Sequence, residues 1–122
     1  MKTMRTVAVL LVILSTACAH TVSDRLFCGR SIPDGGVVTD ADVEAFLTEV
    51  VEPRFPEGFS VWRARGQWRG GYEDVVVLEF VRPVDPRLEN AVAEIAAEYR
   101  KRFRQEAVLR VTTRARMELV RR

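Results

Sequence analysis

The period of the apolar positions changes several times along the chain, and each change predicts an element. Val7 to Leu14 is an unbroken apolar run, preceded by Lys2 and Arg5 and followed by the small residues Ser15, Thr16 and Ala17. After a polar tether, residues 18–24, Arg25 to Ile32 reads as a first strand with Leu26, Phe27 and Cys28 as its apolar part. Pro33, Asp34, Gly35 and Gly36 make a turn-rich segment. Thr39 with Asp42 three residues on has the form of a capping box, so a helix starts near Asp40. Val43, Phe46, Leu47, Val50 and Val51 follow at helical spacing and make one stripe. Pro53 ends that helix, because the residue before a proline avoids the α region.

Phe59 to Arg65 reads as a second strand and Gly66 to Gly71 as a turn or bulge. Asp74 to Arg82 is a third strand, apolar on both faces through Val75, Val76, Val77, Leu78, Phe80 and Val81, as a central strand covered on each side would be. Asp85 and Pro86 give an N-cap and a first helical position. Leu88, Val92, Ile95, Tyr99 and Phe103 then carry a helix to about Arg104. From Val108 to Val120 the period is two: Leu109, Val111, Thr113, Ala115, Met117 and Leu119 alternate with arginines and other polar residues.

The order β-α-β-β-α-β is the ferredoxin-like split arrangement, so the fold class is α+β: a four-stranded antiparallel sheet with two helices on one face. Right-handed crossovers give the strand order 4-1-3-2, which puts the third strand in the interior and the arginine-rich last strand at an edge, where charge discourages pairing with neighbours. One domain, residues 25–120, is expected. Its second sheet face would expose Val75, Val77 and Val81, and an exposed apolar face is usually an interface.

The N-terminal pattern then changes the picture. A positive start, a short apolar run and small residues make a secretory signal, residues 1–17. The run is too short to span a bilayer, which takes about 20 residues. Ser15, Thr16, Ala17 and Cys18 resemble a lipobox, with Cys18 as the lipidated residue; cleavage after Ala19 to give a soluble periplasmic or secreted form is the alternative. The expected place is the cell envelope, anchored to the outer membrane through an N-terminal lipid and facing the periplasm. With Lys2 and Arg5 removed, 17 basic side chains face 17 acidic ones, so nucleic acid is not an expected partner. Only Cys28 then remains, and one cysteine cannot staple the fold.

Gly29, Arg30 and Ser31, then Asp34 and Gly35, Asp40 to Leu47, the run from Pro53 to Phe59, and Gly66, Gln67 and Trp68 together resemble the small secreted bacterial proteins known as the domain of unknown function 3574 family. The resemblance spans about residues 25–120. It implies export and a compact α+β domain, and no reaction. The family pattern has an acidic residue before the third strand, which Glu73 matches, and a hydroxyl residue soon after, where Val75 stands.

Candidate chemistry is sparse. Arg30 in a glycine-containing loop could hold an anion, as in acylphosphatases of the same fold. Their mechanism needs an asparagine, and Asn90 lies in the second helix. His20 is the single histidine and sits in the tether, so neither a zinc site nor a Ser-His-Asp arrangement can be built; no metal and no cofactor are expected. Trp62, Trp68 and Tyr72 with Gln67, Arg63 and Arg65 cluster around the expected hairpin as a stacking platform for a small ligand. The candidate ligand or interaction surface is Arg30, Trp62, Gln67, Trp68 and Glu73. The leading expectation is a binding or interaction module that dimerises through its open sheet face and takes a small ligand or an envelope protein. A small hydrolase using Arg30 and a purely structural lipoprotein are the alternatives.

Overall fold

The computed structural model of the protein describes residues 20–122; the expected signal peptide and Cys18 lie outside them. Four strands and two helices follow in the order β1 (Thr21–Gly29), α1 (Asp40–Phe46), β2 (Ser60–Trp68), β3 (Gly71–Pro83), α2 (Pro86–Arg102) and β4 (Leu109–Ala115). The sheet runs β2-β3-β1-β4 and is antiparallel throughout. This is the expected order, with β3 inside and β4 at an edge.

Several bounds differ from those expected. β1 begins at Thr21, so Thr21 to Asp24 belong to the sheet and not to a tether. They look like linker because they are polar, yet Asp24 is fully buried and lies on the helix-covered face. Its carboxylate accepts from Arg82 Nε at 2.6 Å, from Arg110 Nε and Nη2 at 2.9 and 2.8 Å, and from Thr112 Oγ1 at 2.6 Å. Glu89 of α2 joins both arginines from outside. A buried charge survives only when paired and hydrogen-bonded, and these partners are 58 to 88 residues away in sequence.

β2 runs on to Trp68, because Arg69 and Gly70 make a two-residue hairpin turn with φ of 47° and 84°. Positive φ at both positions matches the right-handed twist of the strands they join. β4 ends at Ala115, opposite Thr21, where β1 itself begins; residues 116–122 have no strand partner among the described residues.

The capping box of α1 forms as its sequence requires. Asp42 N–H donates to Thr39 Oγ1, and Thr39 N–H donates to the Asp42 carboxylate. After Phe46 the helix widens into one π-turn, Leu47–Val51, in which Glu52 N–H reaches back to Leu47 O. The core lies between the helices and one sheet face. Leu26, Cys28, Val76, Leu78 and Phe80 meet Phe46, Val50, Val92, Ile95 and Tyr99 there. Phe46 and Tyr99 pack edge to face with ring centroids 5.2 Å apart.

The open face differs from expectation in detail. Val77 and Val75 are buried, although no helix covers them; Val77 sits between its cross-strand neighbours Phe27 and Trp62. Val81, Val111 and Leu109 are the aliphatic side chains left exposed there, with Leu109 at 58 %.

Candidate functional site

A cleft of about 670 Å³ lies over one end of the open sheet face. Its floor is laid by three strands: Phe27 and Gly29 from β1, Glu73 and Val75 from β3, Ala64 and Gly66 from β2. The β2–β3 hairpin with Trp68 forms one wall. The connection from α2 to β4, Gln105 to Val108, forms the other. Arg69 at the hairpin turn and Glu106 in that connection pair at 3.0 Å, joining the two walls.

Glu73 is the centre of this arrangement. Opposite it on β2 stands Gly66. On the β1 side a Cβ at Gly29 would fall 2.7 Å from both Glu73 carboxylate oxygens, closer than any real contact. Glycine in a strand interior costs stability and marks a place where something approaches closely. A Cβ at Gly66 would meet Val75 Cγ2 at 3.0 Å, whereas at Gly29 the approaching group is the Glu73 carboxylate. Ser31 N–H donates to it at 3.2 Å, the one hydrogen bond it accepts among the described residues.

The bed under Glu73 is tied down from behind. Tyr99 of α2 donates its buried hydroxyl to Gly29 O at 2.7 Å, and Gln105 Nε2 donates to Ser31 O at 2.9 Å. Burial pushes the Tyr99 phenol well above its ordinary value, so it stays a donor.

The five residues expected to form one surface are divided by the pleat. Trp62, Gly66 and Trp68 share the open face, whereas Arg63, Arg65 and Gln67 alternate to the other side of β2. Glu73, Trp68 and Gln67 line the cleft, Gln67 at its rim; Trp62 lies further along the sheet with Arg25 over its ring. Arg65 stacks on Tyr72 at 4.4 Å instead of joining the tryptophans. The single stacking platform expected from the sequence is therefore two half-platforms, one on each face.

Arg30 faces the helices, away from the cleft. Its Nε donates to Val38 O at 2.9 Å and its Nη2 to Asp40 at 2.8 Å. Asp40 also pairs with Arg63, and the hydrogen bonds from Arg63 and Arg30 hold its carboxyl below the usual value. These contacts fix the loop to the start of α1, and they take up the guanidinium that an anion would need. The shallow pocket beside it, about 240 Å³, is lined by this same ion-paired group. Cys28 is buried in the core, where desolvation pushes its thiol up to about 12.

The family description "Protein of unknown function (DUF3574)" matches residues 23–119. The chain belongs to this family. Comparison with curated proteins finds no match. Among solved structures, the DUF3574 domain is similar to a phage SAM lyase in its apo state, at 20% identity over 78% of this chain and 81% of that one, with a TM-score of 0.61. It is also similar to a phage SAM lyase in complex with S-methyl-5'-thioadenosine, at 20% identity, 77% and 81% coverage, and a TM-score of 0.54. A de novo designed protein, Foldit4, aligns over 80% of this chain and 99% of its own at 17% identity and a TM-score of 0.50. At these identities the likeness is one of fold.

The sequence marks Glu73 and Trp68 but not the roles of Gly29, which makes room for the Glu73 carboxylate, and of Gly66, which stands opposite Glu73 in register. Gly66 has the signature of a turn, because glycine near other glycines signals a turn more often than a strand position. The signal present in the sequence is its period-two place between Ala64 and Trp68, on the face that also carries Trp62.

Proposed function

We propose that this DUF3574 domain is a small-molecule-binding module of the cell envelope, with its ligand seated on the open sheet face against Glu73. The observation that carries the reading is the Glu73 carboxylate laid against Gly29 at the floor of a cleft whose volume falls within the range of small-ligand sites. A carboxylate holding one long hydrogen bond in a largely apolar cleft is an acceptor awaiting donors. The test is amide and indole NMR of the isotope-labelled protein against a library of aromatic fragments. Binders should move the Gly29, Ser31, Gly66 and Glu73 amides together with the Trp68 indole N–H. A library in which no fragment moves this group would remove the reading.

A second reading is lyase chemistry, favoured by the fold shared with the phage SAM lyases, one of them in complex with S-methyl-5'-thioadenosine. Incubation with S-adenosylmethionine and chromatography for S-methyl-5'-thioadenosine decides it: release above the protein-free rate supports an enzyme, and its absence leaves the binding module. The Arg30 loop offers little to a hydrolase, since its guanidinium is held by Val38 O and Asp40.

Lipidation at Cys18 and an outer-membrane place belong to the same proposal. They rest on the lipobox-like residues 15–18 and the apolar run before them. Cys18→Ala should move the protein from the membrane pellet to the soluble fraction. A homodimer through Val81, Leu109 and Val111 is proposed on their exposure and is read directly from a native mass spectrum.

A further inference from the structure

The charges around the cleft are unbalanced. The floor residues from the three strands are glycine or apolar, except for Glu73. Arg65 reaches the lining, but its guanidinium lies over the Tyr72 ring and its strand position faces the other way. Glu106 is already paired with Arg69 at the mouth. One carboxylate is therefore left without a counter-charge among the described residues, half-buried at the floor of the cleft.

In such a place the charge of the ligand decides its affinity. A carboxylate only accepts, so a bound molecule must bring donors. A cationic donor makes a charge-assisted hydrogen bond roughly twice as strong as a neutral one, and partial exclusion of water strengthens it further. An anion placed there meets like charge. The apolar floor of Phe27, Ala64 and Val75 asks for an uncharged body attached to that cation, and half-exposed Trp68, with the Arg69 guanidinium 5.4 Å from its ring centroid, adds an aromatic wall for a flat ring to pack against.

We infer that the cleft takes an organic cation, an ammonium-type group set against Glu73 and joined to a flat apolar body. This rests on the reading of the cleft as a ligand site and names the class of ligand within it.

The experiment compares three molecules that share one ring and differ in charge: tryptamine, tryptophol and indole-3-acetate. Each is titrated into the folded protein while the Gly29, Ser31, Gly66 and Glu73 amides are followed. Tryptamine should bind at least about tenfold more tightly than tryptophol, with indole-3-acetate weakest. The gap should narrow as salt is raised from about 20 to about 300 mM, and it should close in Glu73→Gln, a near-isosteric change whose folding is checked by circular dichroism. The wild-type ranking and its salt dependence stand even where the variant does not fold. Equal affinities, or tighter binding of the anion at these same amides, would overturn the cation assignment while leaving the cleft a ligand site. Titrations in which none of the three moves these amides would overturn both.

Discussion

Replacing Asp24 with Asn tests the physical account of the sheet most severely. Asp24 is fully buried and receives four hydrogen bonds from Arg82, Arg110 and Thr112. An asparagine keeps the shape but turns one acceptor into an NH2 group that faces donors. It also leaves Arg82, whose side chain is 3 % exposed, without its buried counter-charge. Breaking a buried pair in this way costs about 3–5 kcal/mol. Glu89 still holds both arginines, so the loss should lie near the lower end, about 3 kcal/mol. Against a total of about 5–15 kcal/mol the protein would still fold. At about 4–8 °C per kcal/mol for a domain of this size, the melting temperature should fall by at least about 12 °C. Urea unfolding followed by tryptophan fluorescence reports it, since Trp62 and Trp68 both lie on β2. The dependence on pH sharpens the test. Burial alone would raise the Asp24 carboxyl, but the bonds from Thr112, Arg82 and Arg110 outweigh it and hold the group below 3.8. A carboxyl lowered in the folded state contributes its stability above its unfolded value and loses it as pH falls through the folded value. The gap between wild type and Asp24→Asn should therefore be constant from about pH 5 to 8 and shrink below about pH 4. A loss under about 1 kcal/mol at pH 7, or a gap that persists unchanged into acid, would refute the reasoning.

Gly29→Ala should leave stability within about 1 kcal/mol of wild type, because the atoms its Cβ meets belong to the movable end of Glu73. The carboxylate must retreat, since 2.7 Å is far inside ordinary contact, so ligand titrations should weaken while urea curves barely move. Tyr99→Phe keeps the ring packing but leaves Gly29 O without its buried donor, and calorimetry should show a loss of about 1–3 kcal/mol. Thr39→Ala removes the side-chain half of the capping box at α1 and should cost about 1 kcal/mol by the same measurement. Cys28 should resist thiol reagents in the native protein at pH 8 and react on unfolding, since burial raises its thiol to about 12; rapid native labelling would contradict the buried core position.

Local signals in the chain proved reliable where the cause is local. The Thr39 and Asp42 pair caps a helix because the two side chains and two amides involved lie within four residues. Asp85 and Pro86 open α2 for the same reason. The two-sided apolar run around Val77 marks an interior strand, and period-two alternation marks β4. Errors fell at strand ends. Thr21 to Asp24 look like tether and Gly66 to Trp68 like turn in the sequence, because strand membership is decided by a partner elsewhere in the chain.

The candidate site divides along the same line. The sequence alone determined the family, the element order and the residues that bear chemistry, including Glu73 and Trp68, since these depend on residue type and short-range period. Only the tertiary structure decided which of them meet. Pairing register set Gly66 opposite Glu73, laid Gly29 under its carboxylate and turned Gln67 and Arg65 away from the tryptophans. It also joined Asp24 to arginines of two other strands. Register depends on contacts between segments far apart in the chain, and a shift of one residue would send every one of these side chains to the opposite face.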